Sequence, residues 1–220
     1  MKNFCNTFCC LALSASLLFS ANIANATDNN SNFPKDLSPI KTMPNAIGVD
    51  EANTKKIEIF EFFSYACSHC NDFSPKLNAW TEKNKNLVEV KKMPVSFNRT
   101  AMKALAKLHY ALQTVGKNNP AEAKIFDAVF SRKNVYNENA AAEWLKTQGW
   151  SDQEIKDFKV AYNSFGVNSL VSNSDKLAQA FDISGTPTLV VAGKYVIETT
   201  NFDQVLKTAD FLVNKIQSKK

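Results

Sequence analysis

The stretch Glu61-Phe62-Phe63-Ser64-Tyr65-Ala66-Cys67-Ser68-His69-Cys70 decides the fold. It continues a run of β-branched and aromatic residues that starts at Ile57, and such a run predicts a central strand buried on both faces. A helix is expected over Cys67–Lys83, and a second strand over Val88–Val95 completes a β-α-β unit. The sequence therefore predicts an α/β protein in which a cysteine pair lies between a strand and a helix.

The pair Cys67 and Cys70 has the spacing of a redox site. Positions i and i+3 at a helix N-terminus place both sulfurs on one side of the first turn, within reach of a disulfide. Cys67 faces the positive end of the helix dipole, which lowers its pKa, and His69 adds a hydrogen-bond donor or a positive charge beside it. A stabilised thiolate is a good leaving group, so the disulfide form is expected to be oxidising.

The other three cysteines, Cys5, Cys9 and Cys10, fall in a predicted signal peptide. Lys2 precedes an apolar or small-residue run, and Ala24-Asn25-Ala26 fits a small-x-small cleavage site, so we expect cleavage after Ala26. The apolar run is too short to cross about 30 Å of hydrocarbon. Without Lys2 the formal charge falls from +5 to +4, and no basic stripe with interleaved aromatics supports nucleic-acid binding.

A structural disulfide, a zinc site and a haem site are weaker assignments for the cysteine pair. A structural disulfide between such close positions gains little loop-closure entropy. A zinc site needs about four ligands, and outside the signal peptide only the two cysteines with His69 and His109 are available. We expect His109 to decorate the surface of its helix. A c-type haem needs a histidine directly after the second cysteine, where Asn71 stands. Redox chemistry is favoured, with a structural or metal role as alternatives.

The rest of the chain predicts further helices and a late hairpin. Asn119-Pro120-Ala121-Glu122 has the pattern of a helix entry with Asn119 as N-cap. Ser151-Asp152-Gln153-Glu154 is a capping box, followed by an apolar stripe that we expect to include Phe165. Another helix is expected over Ser169–Phe181. The predicted parts are a signal peptide (1–26), an N-terminal arm with one short strand (27–54), a first α/β part (55–97), a helical insertion (98–181) and a second α/β part (182–220).

Two further positions are candidates for the site. With a period of two, Glu61 falls on the apolar face of its strand. A carboxylate there, beside a dithiol, has a raised pKa and accepts a proton during exchange. The alternative is a strand-end residue that reaches solvent, and the sequence does not separate the two. For the Thr186-Pro187 bond, the physics of the sequence alone favours trans, because only about 5–6% of such bonds are cis.

Taken together, these segments resemble the DsbA family of thiol:disulfide oxidoreductases. Glu61–Cys70 resembles the family's active-site strand and motif. Tyr162-Asn163-Ser164-Phe165 with Ser169-Leu170-Val171 is similar to the end of its helical domain. Gly185-Thr186-Pro187 with Gly193-Lys194-Tyr195 is similar to its cis-proline loop and hairpin. The resemblance covers residues 55–220 and implies a thioredoxin fold interrupted by a helical domain.

The resemblance also implies roles for individual residues. Cys67 is the nucleophile and Cys70 the buried resolving thiol, and His69 stabilises the Cys67 thiolate. Glu61 matches the family's buried acid, with Lys92 nearby. Pro187 is implied to be cis, and Ser68, Thr186 and Pro187 are expected to contact the substrate peptide. Two positions depart from the pattern: Ser68 replaces the proline of the best-known Cys-Pro-His-Cys motif, and Ser74 stands where some relatives have an acid.

The implied function is that of a periplasmic dithiol oxidase that introduces disulfide bonds into exported proteins. Its expected partners are unfolded exported proteins with free thiols and a membrane quinone-linked reoxidase of the DsbB type. No organic cofactor or metal is expected. We expect a monomer, since residues 27–56 are too few for a typical dimerisation domain. The alternatives are a disulfide isomerase or reductase of the same superfamily, and a peptide-binding chaperone with a structural disulfide.

Overall fold

The computed structural model describes residues 34, 36–49, 55–197 and 201–218, and for residues 118–120 it describes the backbone alone. The predicted signal peptide and its cleavage site lie outside these residues. The strands are β1 (Ile40–Thr42), β2 (Ile57–Phe63), β3 (Val88–Pro94), β4 (Thr188–Val191) and β5 (Tyr195–Ile197). The helices are α1 (Ser68–Asn84), α2 (Thr100–Thr114), α3 (Asn118–Phe130), α4 (Glu138–Thr147), α5 (Asp152–Asn163), α6 (Phe165–Ala180) and α7 (Phe202–Gln217).

The five strands form one mixed sheet in the order β1-β5-β4-β2-β3. β3 runs parallel to β2, as a strand-helix-strand connection requires, and the remaining neighbours are antiparallel. Every residue of β2 is buried. The prediction of a central strand buried on both faces is therefore confirmed.

Helices cover both faces of the sheet. α1 and α7 pack on the face that carries the odd-numbered residues of β2, through Phe73, Leu77, Val205 and Leu212 among others. α6 packs on the opposite face, where Phe181 lies against Phe60 and Phe62. The sheet is thus the middle layer of a three-layer arrangement, and the N-terminus of α1 lies at its end.

The segment between β3 and β4 is entirely helical and builds a second apolar core. Its members come from α2 to α6 and include Leu105, Leu108, Phe126, Leu145 and Phe158. Phe63, Tyr65 and Cys70 join the same cluster, so this core reaches the cysteine motif. After β1, the order β-α-β, helices, β-β-α agrees with the predicted first α/β part, helical insertion and second α/β part. The residue boundaries assigned to the domains stay predictions.

The predicted start of α3 was wrong by two residues. The helix begins at Asn118 with Lys117 as N-cap, whereas the sequence pattern placed the N-cap at Asn119. Pro120 consequently occupies the third helical position. The first four amides of a helix have no intrahelical acceptor, so a proline is tolerated there as well as at the first position.

The expectation that Phe165 extends the apolar stripe of α5 was also wrong. α5 ends at Asn163, and Ser164 adopts an extended conformation with ψ of 153°. The Ser164 hydroxyl accepts a hydrogen bond from the Val167 amide at 3.1 Å and so starts α6 at Phe165, four residues before the predicted start at Ser169. The break turns Phe165 outward, where its side chain is 87% exposed. By contrast, the capping box at Ser151 and Glu154 is present as predicted.

The β4–β5 hairpin depends on a glycine. Gly193 has a φ of +61°, and a Cβ at this position would collide with the carbonyl oxygen of Ile47. The Ile47 amide donates to the Gly193 carbonyl at 2.8 Å, which holds the segment after β1 against the turn. β1 itself spans Ile40–Thr42, whereas the sequence pattern places the short strand of the arm around Leu37–Lys41. Within the described ranges no helix combines the length and apolarity needed to cross a bilayer.

Candidate active site

Cys67 is the N-cap residue of α1. Its backbone is extended, with φ of −101° and ψ of 116°, and its sulfur accepts a hydrogen bond from the Cys70 amide at 3.4 Å. Both thiols are free in this structure. Cys67 is half-buried, whereas Cys70 lies one turn into the helix and is fully buried. A molecule that approaches from solvent therefore meets the Cys67 sulfur first.

The surroundings of Cys67 favour its thiolate. A hydrogen bond from the Cys70 thiol makes the largest contribution and, although partial burial opposes it, the pKa of Cys67 falls to about 5. The Thr186 side chain and the backbone amides of Cys70 and His69 lower the pKa further. Two of these donors are amides at the N-terminus of α1, and the others are the Cys70 thiol and the Thr186 side chain, which lie next to the same sulfur. At neutral pH the exposed member of the pair is ionised.

Cys70 has the opposite tendency. Its pKa is raised because its proton is shared in the hydrogen bond to Cys67 and because burial disfavours a second thiolate. The reduced pair thus holds one exposed thiolate and one buried thiol. This division of roles is what thiol–disulfide exchange requires, since the thiolate is the better leaving group and the buried sulfur is sheltered from outside attack.

The loop before β4 lies directly against the motif. The Thr186-Pro187 peptide bond is cis, as the resemblance implies and contrary to what the physics of the sequence alone favours. The Cys67 sulfur lies 3.2 Å from the Thr186 carbonyl oxygen. Thr186 and Pro187 also line a groove of about 750 Å³ beside the motif. The structure therefore brings Cys67, Thr186 and Pro187 together at one surface.

The groove runs between the starts of α1 and α7. Phe202 lines it and packs its ring 5.0 Å from that of Phe73, while Lys76 and Asp203 form an ion pair of 2.7 Å at its wall. His69 is exposed and lines the groove with its side chain, while its backbone amide is the group that acts on Cys67. Ser68 is exposed beside it. The roles assigned to Ser68 and His69 stay predictions.

Glu61 is buried, with only 1% of its surface exposed, so the alternative of a solvent-reaching strand end is wrong. Its Oε2 atom lies 3.2 Å from Lys92 Nζ on the neighbouring strand β3. Burial raises the pKa of Glu61, Lys92 opposes that rise and Glu122 adds to it. The groups that shift the pKa values of the two cysteines are Ser64, His69, Thr186 and the cysteines themselves. Glu61 belongs instead to an adjoining polar cluster.

That cluster contains residues to which the sequence assigned no part in the site. Glu122, interpreted as a residue of a helix entry, contacts both Lys92 and the Ser74 hydroxyl. The expectation that His109 decorates a helix surface was wrong, because His109 is buried and its Nδ1 lies 2.9 Å from the Tyr65 hydroxyl. A signal for its burial was present: His109 is four residues after Leu105 and three before Leu112, on the apolar stripe of α2.

Among the residues that the structure describes, no three histidine, cysteine or acidic side chains converge as a metal site would need. The buried acidic side chains that do converge are Glu61 and Glu122, and both contact Lys92.

Comparison with known proteins agrees with this geometry. Residues 58–209 match the family model of the DSBA-like thioredoxin domain. The chain is 36% identical over 209 residues to the thiol:disulfide interchange protein DsbA of Burkholderia cepacia, an alignment that covers 93% of this chain and 95% of that protein. It is 34% identical over 170 residues to the protein of the same name from Bordetella pertussis, covering 75% of this chain and 78% of that one.

Solved structures show the same fold. The crystal structure of Pseudomonas aeruginosa DsbA superposes with a TM-score of 0.75 at 26% identity, over 83% of this chain and 94% of that chain. The oxidoreductase NmDsbA1 from N. meningitidis superposes with a TM-score of 0.69 at 25% identity, over 83% and 93% of the two chains. The predicted thioredoxin fold with a helical insertion is confirmed.

Proposed function

Because the chain belongs to the family of DSBA-like thioredoxin domains, we propose that it is a periplasmic dithiol oxidase that introduces disulfide bonds into exported proteins. Its relatives establish it as a thiol:disulfide oxidoreductase, and members of this family use a redox-active disulfide in place of an organic cofactor. The direction of exchange, the site residues, the location and the partners are the proposed parts. They rest on the chemistry of the motif.

The position of the Cys67 sulfur at the N-terminus of α1, where it accepts a hydrogen bond from the Cys70 amide, carries the oxidase direction, because the donors there lower its pKa. Because the pKa of Cys67 is about 5, its thiolate is stabilised, and the reduced pair becomes more stable relative to the disulfide. A disulfide between Cys67 and Cys70 therefore accepts electrons from ordinary protein thiols. Because Cys67 alone of the pair faces solvent, the electrons enter through that sulfur.

The proposed reaction has two exchange steps. A substrate thiolate attacks the Cys67 sulfur, a substrate–Cys67 disulfide forms and the Cys67–Cys70 bond breaks. Cys70 leaves and takes up one proton, for which protonated Glu61 is the buried donor. A second thiolate of the substrate then attacks the substrate sulfur that is bonded to Cys67. The bond between that sulfur and Cys67 breaks, and Cys67 leaves as a thiolate. The substrate gains a disulfide, and two electrons remain on the protein.

The groove beside Cys67 supports a peptide substrate. Thr186, Pro187 and His69 line it, the Thr186 carbonyl lies 3.2 Å from the attacked sulfur, and Ser68 is exposed next to His69. An extended segment around a substrate cysteine fits such a site better than a folded protein does. We therefore assign unfolded exported proteins with free thiols as substrates.

The location and the second partner follow from the redox cycle. A predicted signal peptide directs the chain out of the cytosol, where glutathione and thioredoxin would hold its dithiol reduced. An oxidase that ends each cycle reduced needs an electron acceptor. By resemblance this is a membrane quinone-linked reoxidase of the DsbB type, and we propose that the protein works with it as a monomer in the periplasm.

Equilibration with glutathione buffers tests the oxidase direction. The reduction potential of thioredoxin is about −270 mV. We expect the reduction potential of the Cys67–Cys70 pair to lie well above this value. A value near or below that figure would contradict the proposal and favour a reductase or isomerase. Cys67→Ser supplies the control, since it retains the groove but cannot form the mixed disulfide.

A substrate assay separates the remaining alternatives. A reduced substrate protein with two cysteines should gain its disulfide in the presence of the oxidised protein and not in the presence of the Cys67→Ser variant. If the variant promotes disulfide formation at the same rate, the protein is a peptide-binding chaperone with a structural cysteine pair. If the protein reshuffles wrong disulfides faster than it forms new ones, isomerase activity dominates.

A further inference from the structure

We propose that Glu122, on helix α3, is a positioning residue for the exchange reaction: by holding Lys92 and Ser74 it keeps the buried acid Glu61 protonated and ready to give its proton. The proposal rests on the exchange at the Cys67–Cys70 pair. It assigns to the helical insertion a direct part in the proton chemistry of the site. Three features of the molecule support it, which are the contacts of Lys92, the number of buried charges and the position of Ser74 on α1.

Lys92 lies between two acids. Its Nζ atom is 2.5 Å from Glu122 Oε1 and 3.2 Å from Glu61 Oε2, and its side chain is only 14% exposed. The same Glu122 oxygen accepts a hydrogen bond from the Ser74 hydroxyl. Glu122 therefore has two close donors. Glu61 Oε2 has the longer contact and accepts no hydrogen bond of good geometry within the part of the chain that is described.

The difference between the donors of Glu122 and those of Glu61 matters because the cluster has more acidic groups than basic ones. Two buried carboxylates share one ammonium group, and ionisation of both would leave an uncompensated buried charge. Of the two carboxylates, Glu122 has the better hydrogen-bond donors. Glu61 then holds the extra proton, in agreement with the raised pKa that burial and Glu122 produce. Although burial opposes its charged form, Lys92 stays protonated because both acids raise its pKa.

Ser74 connects this cluster to the helix of the motif. It lies four residues after Cys70, so both side chains lie on the same face of α1, one turn apart. Phe63, two residues after Glu61 on the same face of β2, packs in one cluster with Tyr65 and Cys70. In the proposed mechanism, the proton that Cys70 needs when the disulfide opens comes from Glu61 on the adjoining strand.

Tyr65 and His109, the other polar groups next to the cluster, do not supply the negative charge that we assign to Glu122. Tyr65 and His109 approach from β2's end and from α2, and both are neutral at pH 7 because burial raises the Tyr65 pKa and lowers the His109 pKa to about 3. A groove of about 710 Å³ borders Lys92 and Glu122, with Glu82, Glu89 and Lys91 also in its lining. It gives the cluster an opening to solvent through which Glu61 can regain its proton.

A titration of Glu61 tests the assignment directly. In protein labelled with ¹³C at glutamate side chains, the Glu61 carboxyl signal is identified by its loss in Glu61→Gln and followed against pH. In Glu122→Gln the Glu61 pKa should fall by about one unit, because the neighbouring negative charge is gone and Lys92 serves Glu61 alone. An unchanged or raised Glu61 pKa would overturn the proposal.

Glu58→Gln is the matched control. Glu58 is also a buried acid of β2 paired with a lysine of β3, since Lys91 Nζ lies 2.5 Å from its Oε1, but it lies on the opposite face of the strand. This variant should leave the Glu61 pKa unchanged. An equal shift in Glu58→Gln would show a general effect of removing buried charge and would overturn the role of Glu122.

The exchange reaction gives a second readout. The rate at which a small thiol opens the Cys67–Cys70 disulfide, expressed per thiolate, should fall as pH rises through the Glu61 pKa. In Glu122→Gln this fall should occur about one unit lower, and Ser74→Ala should move it in the same direction without removing a charge. If the rate profile stays unchanged while the Glu61 pKa shifts, Glu122 has no part in exchange and the proposal is wrong.

A rescue variant separates positioning from stability. In Ser74→Asp combined with Glu122→Gln, the carboxylate moves to the α1 side of the same contact and should restore the original profile at least in part. Failure to restore it in a folded protein would contradict the proposed mechanism. All these measurements apply to an isomerase or a reductase as well as to an oxidase, so the reduction potential alone decides the oxidase direction.

Discussion

The Cys67 sulfur lies 3.2 Å from the carbonyl oxygen of Thr186, although 119 positions separate the two residues in the chain. The start of α1 and the loop before β4 meet there because β2 and β4 are neighbours in the sheet. The reactivity of the sulfur therefore depends on two distant segments, and substitutions in either one should change it.

The hydrogen bond from the Cys70 thiol makes the largest contribution to the low Cys67 pKa. We expect the alkylation rate of Cys67 in the reduced protein to reach half its maximum near pH 5. In Cys70→Ala the midpoint should rise, whereas Cys70→Ser, which keeps a hydroxyl donor, should raise it less. Rates of reaction with iodoacetamide between about pH 3 and 9 give these midpoints. A midpoint above about pH 8 in the unmodified protein would contradict the thiolate assignment.

The Thr186 side chain also lowers the Cys67 pKa. Replacing it with valine retains the shape and removes the hydroxyl, so the Cys67 pKa should rise by up to about one unit and the pair should become less oxidising. Thr188→Val is the control, because that hydroxyl donates to the Gly185 carbonyl at 2.9 Å instead. Thiolate absorbance against pH measures both variants. Equal shifts in the two would contradict a specific role for Thr186.

Ser68 departs from the proline of the best-known motif, yet the structure predicts that a proline fits here. Ser68 is the first residue of α1, the position that proline favours, and the extended backbone of Cys67 suits a residue before proline. The amides that lower the Cys67 pKa belong to His69 and Cys70, so the lost Ser68 amide should leave this pKa nearly unchanged.

We expect Ser68→Pro to raise the free energy of unfolding of the reduced protein by about 0.4–1 kcal/mol, because the unfolded chain loses freedom. Urea denaturation measures this gain. Ser68→Ala, which keeps the amide and lacks the ring, should not show it. A Cys67 pKa that changes by more than about a unit in Ser68→Pro would mean that the residue acts through its amide after all.

His109 should give the protein a pH-dependent stability. Burial, with Lys92 nearby, lowers the pKa of His109 to about 3 in the folded protein, against about 6.5 in the unfolded chain. Between these values the unfolded chain binds a proton that the folded protein does not. The free energy of unfolding therefore rises with pH, by up to about 1.4 kcal/mol per unit, and this contribution levels off above about pH 6.5.

The His109→Gln variant isolates this effect. The amide can still share a hydrogen bond with the Tyr65 hydroxyl, but it does not titrate. Urea denaturation between about pH 5 and 7 should show a flatter dependence in the variant than in the unmodified protein, while other titrating groups contribute equally to both. Parallel curves would show that His109 is not held neutral by burial.

Local patterns were sufficient for much of the fold. The run Ile57–Phe63, apolar except for Glu58 and Glu61, is a strand buried on both faces because β-branched and aromatic side chains pack well on a pleated, buried surface. The capping box at Ser151 and Glu154 formed because its hydrogen bonds join residues three positions apart. At Ser164 the side chain caps a new helix in place of continuing α5. Phe165 therefore begins α6 and lies outside the apolar stripe predicted for α5.

What the sequence by itself determined was the pair Cys67 and Cys70 at a helix start, since the dipole and the free amides there are properties of the helix alone. Only the tertiary structure decided which distant groups complete the site: Thr186 against the sulfur, and Glu122 rather than an acid on α1 beside Lys92. Such contacts join segments whose approach depends on how whole layers pack. A carboxylate on α3 carries no local mark of the lysine that it will meet.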